Sequence, residues 1–175
     1  MGIESFIQWV VSWVSEYLYA GIFAAALLET IFPPIPSEAI FPLAGYIVSK
    51  NEMPFIHVIG VGVVGAAGST IGAFIIYLMA LKLGRIALIR YLKYARINEA
   101  RLNRVDHWFA KHGEKAILFG RMVPGLRELI SIPAGLFKMR ITKFLVFTFI
   151  GSCVWSISLS FAGYYLGVAS LHFFG

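Results

Sequence analysis

At 175 residues the chain has the length of one domain, but its composition excludes a soluble one: 59% of residues are apolar, only 14% are charged, and mean hydropathy is +0.79 where soluble domains carry about a quarter charged residues. The net charge of +6 is concentrated in one segment, which points to anionic lipid and away from nucleic acid. A single cysteine, Cys153 in an apolar run, excludes a disulfide framework.

Residues 3–19 place Glu4, Gln8, Ser12, Ser15, Glu16 and Tyr19 at helical spacing against Trp9, Val10, Trp13, Val14 and Tyr17. This pattern predicts an amphipathic helix lying in the membrane interface. The first 25 residues lack Lys and Arg, so no cleavable secretory signal is expected. The apolar run over 17–48 follows, interrupted by Pro33, Pro34 and Pro36. Proline removes a backbone donor and clashes with the preceding turn, so no helix continues through this stretch. Each half then forms about 20 Å of helix, too short for a hydrocarbon core of about 30 Å. A re-entrant hairpin solves this, and its broken backbone must be buried in protein or line a wet cavity. Glu29 and Glu38 flank the break. Carboxylates at membrane depth are costly and read as functional.

Residues 49–54 predict an exposed turn with Lys50, Asn51 and Glu52, and 56–81 a full span without a charge. Gly60, Gly62, Gly65, Gly68, Ser69 and Gly72 give that span a small-residue face for close helix packing. Residues 82–115 hold nine of the fifteen basic residues. Within them Asn98 can cap a helix that Gly113 ends, with Leu102, Val105 and Phe109 in one stripe. This predicts a second interfacial helix. Residues 116–136 form a second broken apolar segment, interrupted at Pro124 and Gly125 and flanked by Arg121, Arg127 and Glu128. A second full span covers 141–170, with Ser152, Ser156, Ser160, Gly163 and Gly167 on a close-packing face.

The chain thus reads twice as amphipathic helix, proline-broken hairpin and span. Glu38 precedes Ala44-Gly45 by the spacing at which Glu128 precedes Ala134-Gly135. Each unit crosses the membrane once, so consecutive copies have opposite orientation, the inverted-repeat logic of transporters. The expectation is an all-α integral membrane protein, one domain over 1–175, with repeat 1 over about 1–82 and repeat 2 over about 96–172. The basic loop should face the cytoplasm, with both termini outside.

Arginine presents a planar fork of donors suited to phosphate, so Arg121 and Arg127 are candidate phosphate ligands. Ser37 and the residues after Pro124-Gly125 should open helices whose N-termini add free N–H groups. Glu29 and Glu38 at membrane depth are candidate proton-coupling groups. Each residue also has a plain structural reading: Ser37 as an N-cap, Glu29 as an ion-pair partner, either arginine snorkelling to headgroups. Four such residues at two matching breaks favour function. No metal or cofactor is expected, and no lipid-phosphatase-like histidine pair, HExxH or intramembrane Ser/His arrangement appears.

With these residues in view, the stretch E-T-I-F-P-P-I-P-S-E resembles the first signature of the DedA family, also described as SNARE-associated Golgi or VTT proteins. F-G-R-M-V-P-G-L-R with I-P-A-G resembles the second, and Gly68, Gly72, Tyr77 and Gly84 resemble the intervening glycine motif. This chain has Ala73 where many members carry Asp, and Ala80 where many carry Gly. The resemblance covers roughly residues 20–165 and implies a lipid-translocating protein of the bacterial inner membrane, with members linked to undecaprenyl phosphate recycling. It places the family's acids at Glu29 and Glu38 and its arginines at Arg121 and Arg127. The expected function is therefore a multi-pass, proton-coupled flippase for a lipid phosphate or phospholipid. Membrane lipids and protons are the expected partners, with homo-oligomerisation left open. The alternative is a proton-coupled transporter of small ions.

Overall fold

The structure is a computed structural model that describes residues 16–31, 37–94, 99–127 and 129–174; side chains are described outside 85–99, 101–102 and 168–174. The predicted interfacial helix over 3–19 lies almost wholly outside the described residues, as do Pro33, Pro34, Pro36, Asn98 and Glu128. All described elements are helices: α1 (Leu18–Ile31), α2 (Ser37–Lys50), α3 (Ile56–Tyr94), α4 (Glu99–His112), α5 (Lys115–Gly120), α6 (Ser131–Leu136) and α7 (Ile141–Phe174).

Two of these are long and apolar enough to cross a membrane, over Ile56–Gly84 and Ile141–Gly167. Gly84, at φ 69°, breaks α3 where the apolar stretch gives way to basic sequence. The outward faces of both spans stay apolar and exposed, at Ile59, Val63, Ile71 and Ile75 and at Val146, Ile150, Val154 and Phe161. That surface suits hydrocarbon. By contrast α1 and α2 have 14 residues each, about 21 Å of helix, short of the roughly 30 Å core.

The small-residue faces are used for backbone approach. A Cβ on Gly68 would run into the Phe23 carbonyl oxygen of α1, and one on Gly62 into Ile157 of α7. A Cβ on Gly45 of α2 would strike the Ser160 carbonyl oxygen, and one on Gly163 the Pro42 carbonyl oxygen. So α1 lies along α3 while α2 lies along α7. The two halves of the first broken segment are each braced by a different span.

The two halves of the chain also share a turn. After α2, Glu52 adopts φ 52°, with Glu52 N–H donating to Ser49 O (3.0 Å) and Met53 N–H to Val48 O (3.1 Å). After α6, Lys138 adopts φ 52°, with Lys138 N–H donating to Gly135 O (3.1 Å) and Met139 N–H to Ala134 O (3.0 Å). Both are Schellman caps in the same register, each built on a non-glycine left-handed residue. Gly113 closes α4 in the simpler way, its N–H reaching Phe109 O at 2.7 Å with φ 58°. The buried core forms two clusters, and α3 contributes to both. One cluster joins Ile22, Ala26, Phe41, Ala44, Val48 and Val61. The other joins Ile76, Tyr77, Val105, Ile117, Ile130 and Phe144.

Candidate functional site

Glu29 occupies the last turn of α1 and is fully buried, facing the interior with Thr30. Ser37 opens α2 and is also buried, whereas Glu38, one residue on, is exposed. Pro42 lies inside α2 and has no N–H to offer the Glu38 carbonyl, which keeps the first turn of that helix under-bonded.

The second break differs from the expectation. No helix begins after Pro124-Gly125. Residues 121–127 and 129–130 run as turns, and α6 starts only at Ser131 and lasts six residues. The reason is local: Pro124 donates nothing, and Gly125 takes φ 75°, a left-handed value that ends a right-handed helix. The chain instead winds as consecutive tight turns, with Leu126 and Arg127 N–H both donating to Val123 O at 3.2 Å. The helix-dipole contribution expected at this break is therefore absent. The arginines sit on a turn.

That turn delivers Arg127 to Glu29. Arg127 Nη2 donates to Glu29 Oε1 at 3.1 Å and Oε2 at 3.4 Å, between side chains 4% and 0% exposed. The pair joins the two breaks across 98 residues of sequence. One nitrogen serves both oxygens, so the planar fork is not engaged edge-on. Arg127 Nε is buried with no hydrogen-bond partner among the described residues. Such a donor is costly to leave unmet. Arg121, 1% exposed, donates from Nη2 to Ser131 Oγ at 2.8 Å and packs where a Cβ on Gly151 would collide with its own Cβ.

Trp155 of α7 completes the arrangement and was not among the residues expected from the sequence. Arg127 Cζ lies 5.7 Å from the Trp155 ring centroid, a cation–π distance. The indole Nε1–H points at Ser37 Oγ at 3.4 Å, and Ser37 Oγ donates to Glu38 Oε2 at 3.2 Å. A polar chain therefore runs from Glu29 through Arg127, Trp155 and Ser37 to the exposed Glu38. It places a buried ion pair at one end and a solvent- or lipid-facing carboxylate at the other. Among the described residues no group of three or more His, Cys, Asp or Glu could hold a metal ion.

The VTT domain family model matches residues 32–165. A relative from Bacillus subtilis named undecaprenyl phosphate transporter A is 35% identical over 163 residues, covering 93% of this chain and 79% of that protein. Its Staphylococcus aureus namesake is 31% identical over 160 residues, covering 89% and 77%. A Lactococcus lactis relative named alkaline phosphatase-like protein is 34% identical over 163 residues, covering 90% and 75%. No solved structure matches this chain. The paired signatures, the helical architecture and these matches together establish that the chain belongs to the VTT-domain (DedA) family of membrane proteins.

Proposed function

We propose that this protein moves a lipid phosphate of the polyprenyl-phosphate kind between leaflets of the bacterial inner membrane. The observation that carries the reading is the buried Glu29–Arg127 pair, which joins the two breaks and leaves Arg127 Nε unmet. A guanidinium held by one carboxylate can exchange that carboxylate for a phosphate with little change of position. The relatives named as undecaprenyl phosphate transporters support the choice of substrate class.

In this reading α1 with α2, and the segment from α5 to α6, are two re-entrant hairpins of opposite orientation, brought together where Arg127 meets Glu29. The lipid phosphate reaches Arg127 and Arg121, and its chain stays in the bilayer. Protonation of Glu29 weakens its hold on Arg127 and frees the guanidinium for phosphate. Deprotonation restores the pair and expels the phosphate. Glu38, linked through Ser37 and Trp155, exchanges protons with the outside of the site. The same groups serve no bond-breaking step in this scheme, so the protein is read as a transporter and not as an enzyme.

The test is reconstitution in liposomes containing a fluorescent polyprenyl phosphate, scored for leaflet exchange with and without a pH gradient. Exchange above protein-free liposomes that responds to the gradient is expected. Exchange equal to protein-free liposomes contradicts the reading.

A further inference from the structure

Away from the ion pair, a groove of about 480 Å³ lies between α4 and the turn that carries Arg127. Its lining is Arg104, Val105, Trp108, Pro124, Gly125, Leu126 and Leu129. Val105 and Leu129 are buried and form an apolar floor, whereas Arg104, Pro124 and Gly125 are exposed at its rim. Trp108 is half-buried, wedged against Gly120 and tilted over His112 at 4.9 Å. The far wall is the outer side of the turn: Leu126 lines the groove, and Arg127, next in the chain, points inward to Glu29.

We infer that this groove is a separate docking site for a phosphate monoester borne on an apolar chain, with Arg104 taking the phosphate and Val105, Leu126 and Leu129 taking the first part of the chain. Charge supports the phosphate: Arg104 is the charged residue among the described lining of the groove, and no carboxylate is among that lining. Arg104 Nε donates only weakly, to Ala100 O at 3.4 Å, and no carboxylate among the described residues pairs with it. Shape supports the chain, because the volume lies within the range of small-ligand sites and the floor is apolar. A long lipid tail exceeds it and would leave through the open side. The groove therefore receives the lipid one turn away from Arg127. The inference rests on the transport reading only in naming the ligand as the lipid that is moved.

The experiment uses the full chain in liposomes of phosphatidylcholine, with farnesyl phosphate carrying a photoactivatable group on its tail. Labelling of peptides containing Trp108 or Leu126 is expected, displaced by unlabelled farnesyl phosphate but not by farnesol or inorganic phosphate at equal concentration. Arg104→Glu should lower labelling about tenfold, the loss of one charge-assisted bond to phosphate, and Arg104→Lys should lower it far less. Labelling indifferent to Arg104→Glu overturns the site. Equal displacement by farnesol reduces it to apolar surface, and displacement by inorganic phosphate shows a free-anion site; either overturns the inference. Arg127→Lys separates the two readings, since it should lower leaflet exchange at least about tenfold and leave groove labelling intact. If exchange in Arg127→Lys stays at the parent rate, the transport reading fails, and the groove is judged by its labelling alone.

Discussion

Glu29 and Glu38 stand nine residues apart in sequence, yet the structure gives them different physical burdens. Glu29 is buried against a guanidinium. Replacing it with Gln leaves Arg127 charged and uncompensated, which should cost about 3–5 kcal/mol of stability, read as a lower thermal midpoint in detergent. Glu38 is exposed and bonded only through Ser37 in the described contacts. Glu38→Gln should leave the midpoint unmoved and remove the response of lipid exchange to a pH gradient. A midpoint lowered by Glu38→Gln, or an unaltered gradient response, would show that this carboxylate is not the outer proton-exchanging group. Glu29 and Arg127 stood out in the sequence as candidates because charges are rare in apolar segments and these flank proline breaks, and the structure brings them together as one buried pair. Trp155 was not legible. It lies inside an unbroken apolar span, where an aromatic residue looks the same whether it faces lipid or covers an arginine. Only the register of α7 against α2 separates these cases.

At the level of elements, backbone contact between α2 and α7 is the tightest feature of the packing. Gly45→Ala or Gly163→Ala would drive a methyl group into a main-chain carbonyl of the opposite helix. Each should destabilise by about 1–3 kcal/mol, the usual cost of overpacking, and lower the thermal midpoint; the same change at Gly113, with open space around it, should cost only backbone strain. The Schellman turns predict the reverse sign. Glu52 and Lys138 hold left-handed backbone that costs a non-glycine residue about 1 kcal/mol. Glu52→Gly and Lys138→Gly should therefore each raise the midpoint slightly. A lowered midpoint in both would mean that the side chains themselves hold the turns. Span and cap positions were readable beforehand from run length and from Gly113. The winding of residues 121–127 and 129–130 was not, because proline and glycine announce a break without stating how many residues the chain needs to recover.

For the whole molecule, the paired caps are what two like units would leave, and the inverted-repeat reading adds that these units face opposite ways. In a Cys153→Ser background, single cysteines at Asn51 and Arg140 occupy the exposed ends of the two equivalent turns. A membrane-impermeant maleimide should reach them from opposite sides, with Arg140 on the cytoplasmic side by its basic surroundings. Labelling of both from one side would remove the inverted arrangement. The repeat is proposed from the order of elements in the sequence more than from residue identity. The matching Ala-Gly pairs that suggested it are not in register with the matching caps, since the first pair lies one helical turn further from its cap than the second. What the two halves demonstrably share is the backbone path of these two caps.

In the proposed cycle Arg127 is the group that exchanges Glu29 for a lipid phosphate. Arg127→Lys tests this most directly, because lysine keeps the charge that balances Glu29 but loses the planar fork that phosphate requires. The measurement is leaflet exchange of a fluorescent polyprenyl phosphate in liposomes beside the thermal midpoint of the same preparation. The expected result is a midpoint within about 1 kcal/mol of the parent, because the ion pair survives, and exchange reduced at least about tenfold, because one charge-assisted bond to phosphate is lost. Exchange at the parent rate, or a fall in exchange matched by an equal fall in stability, would contradict it.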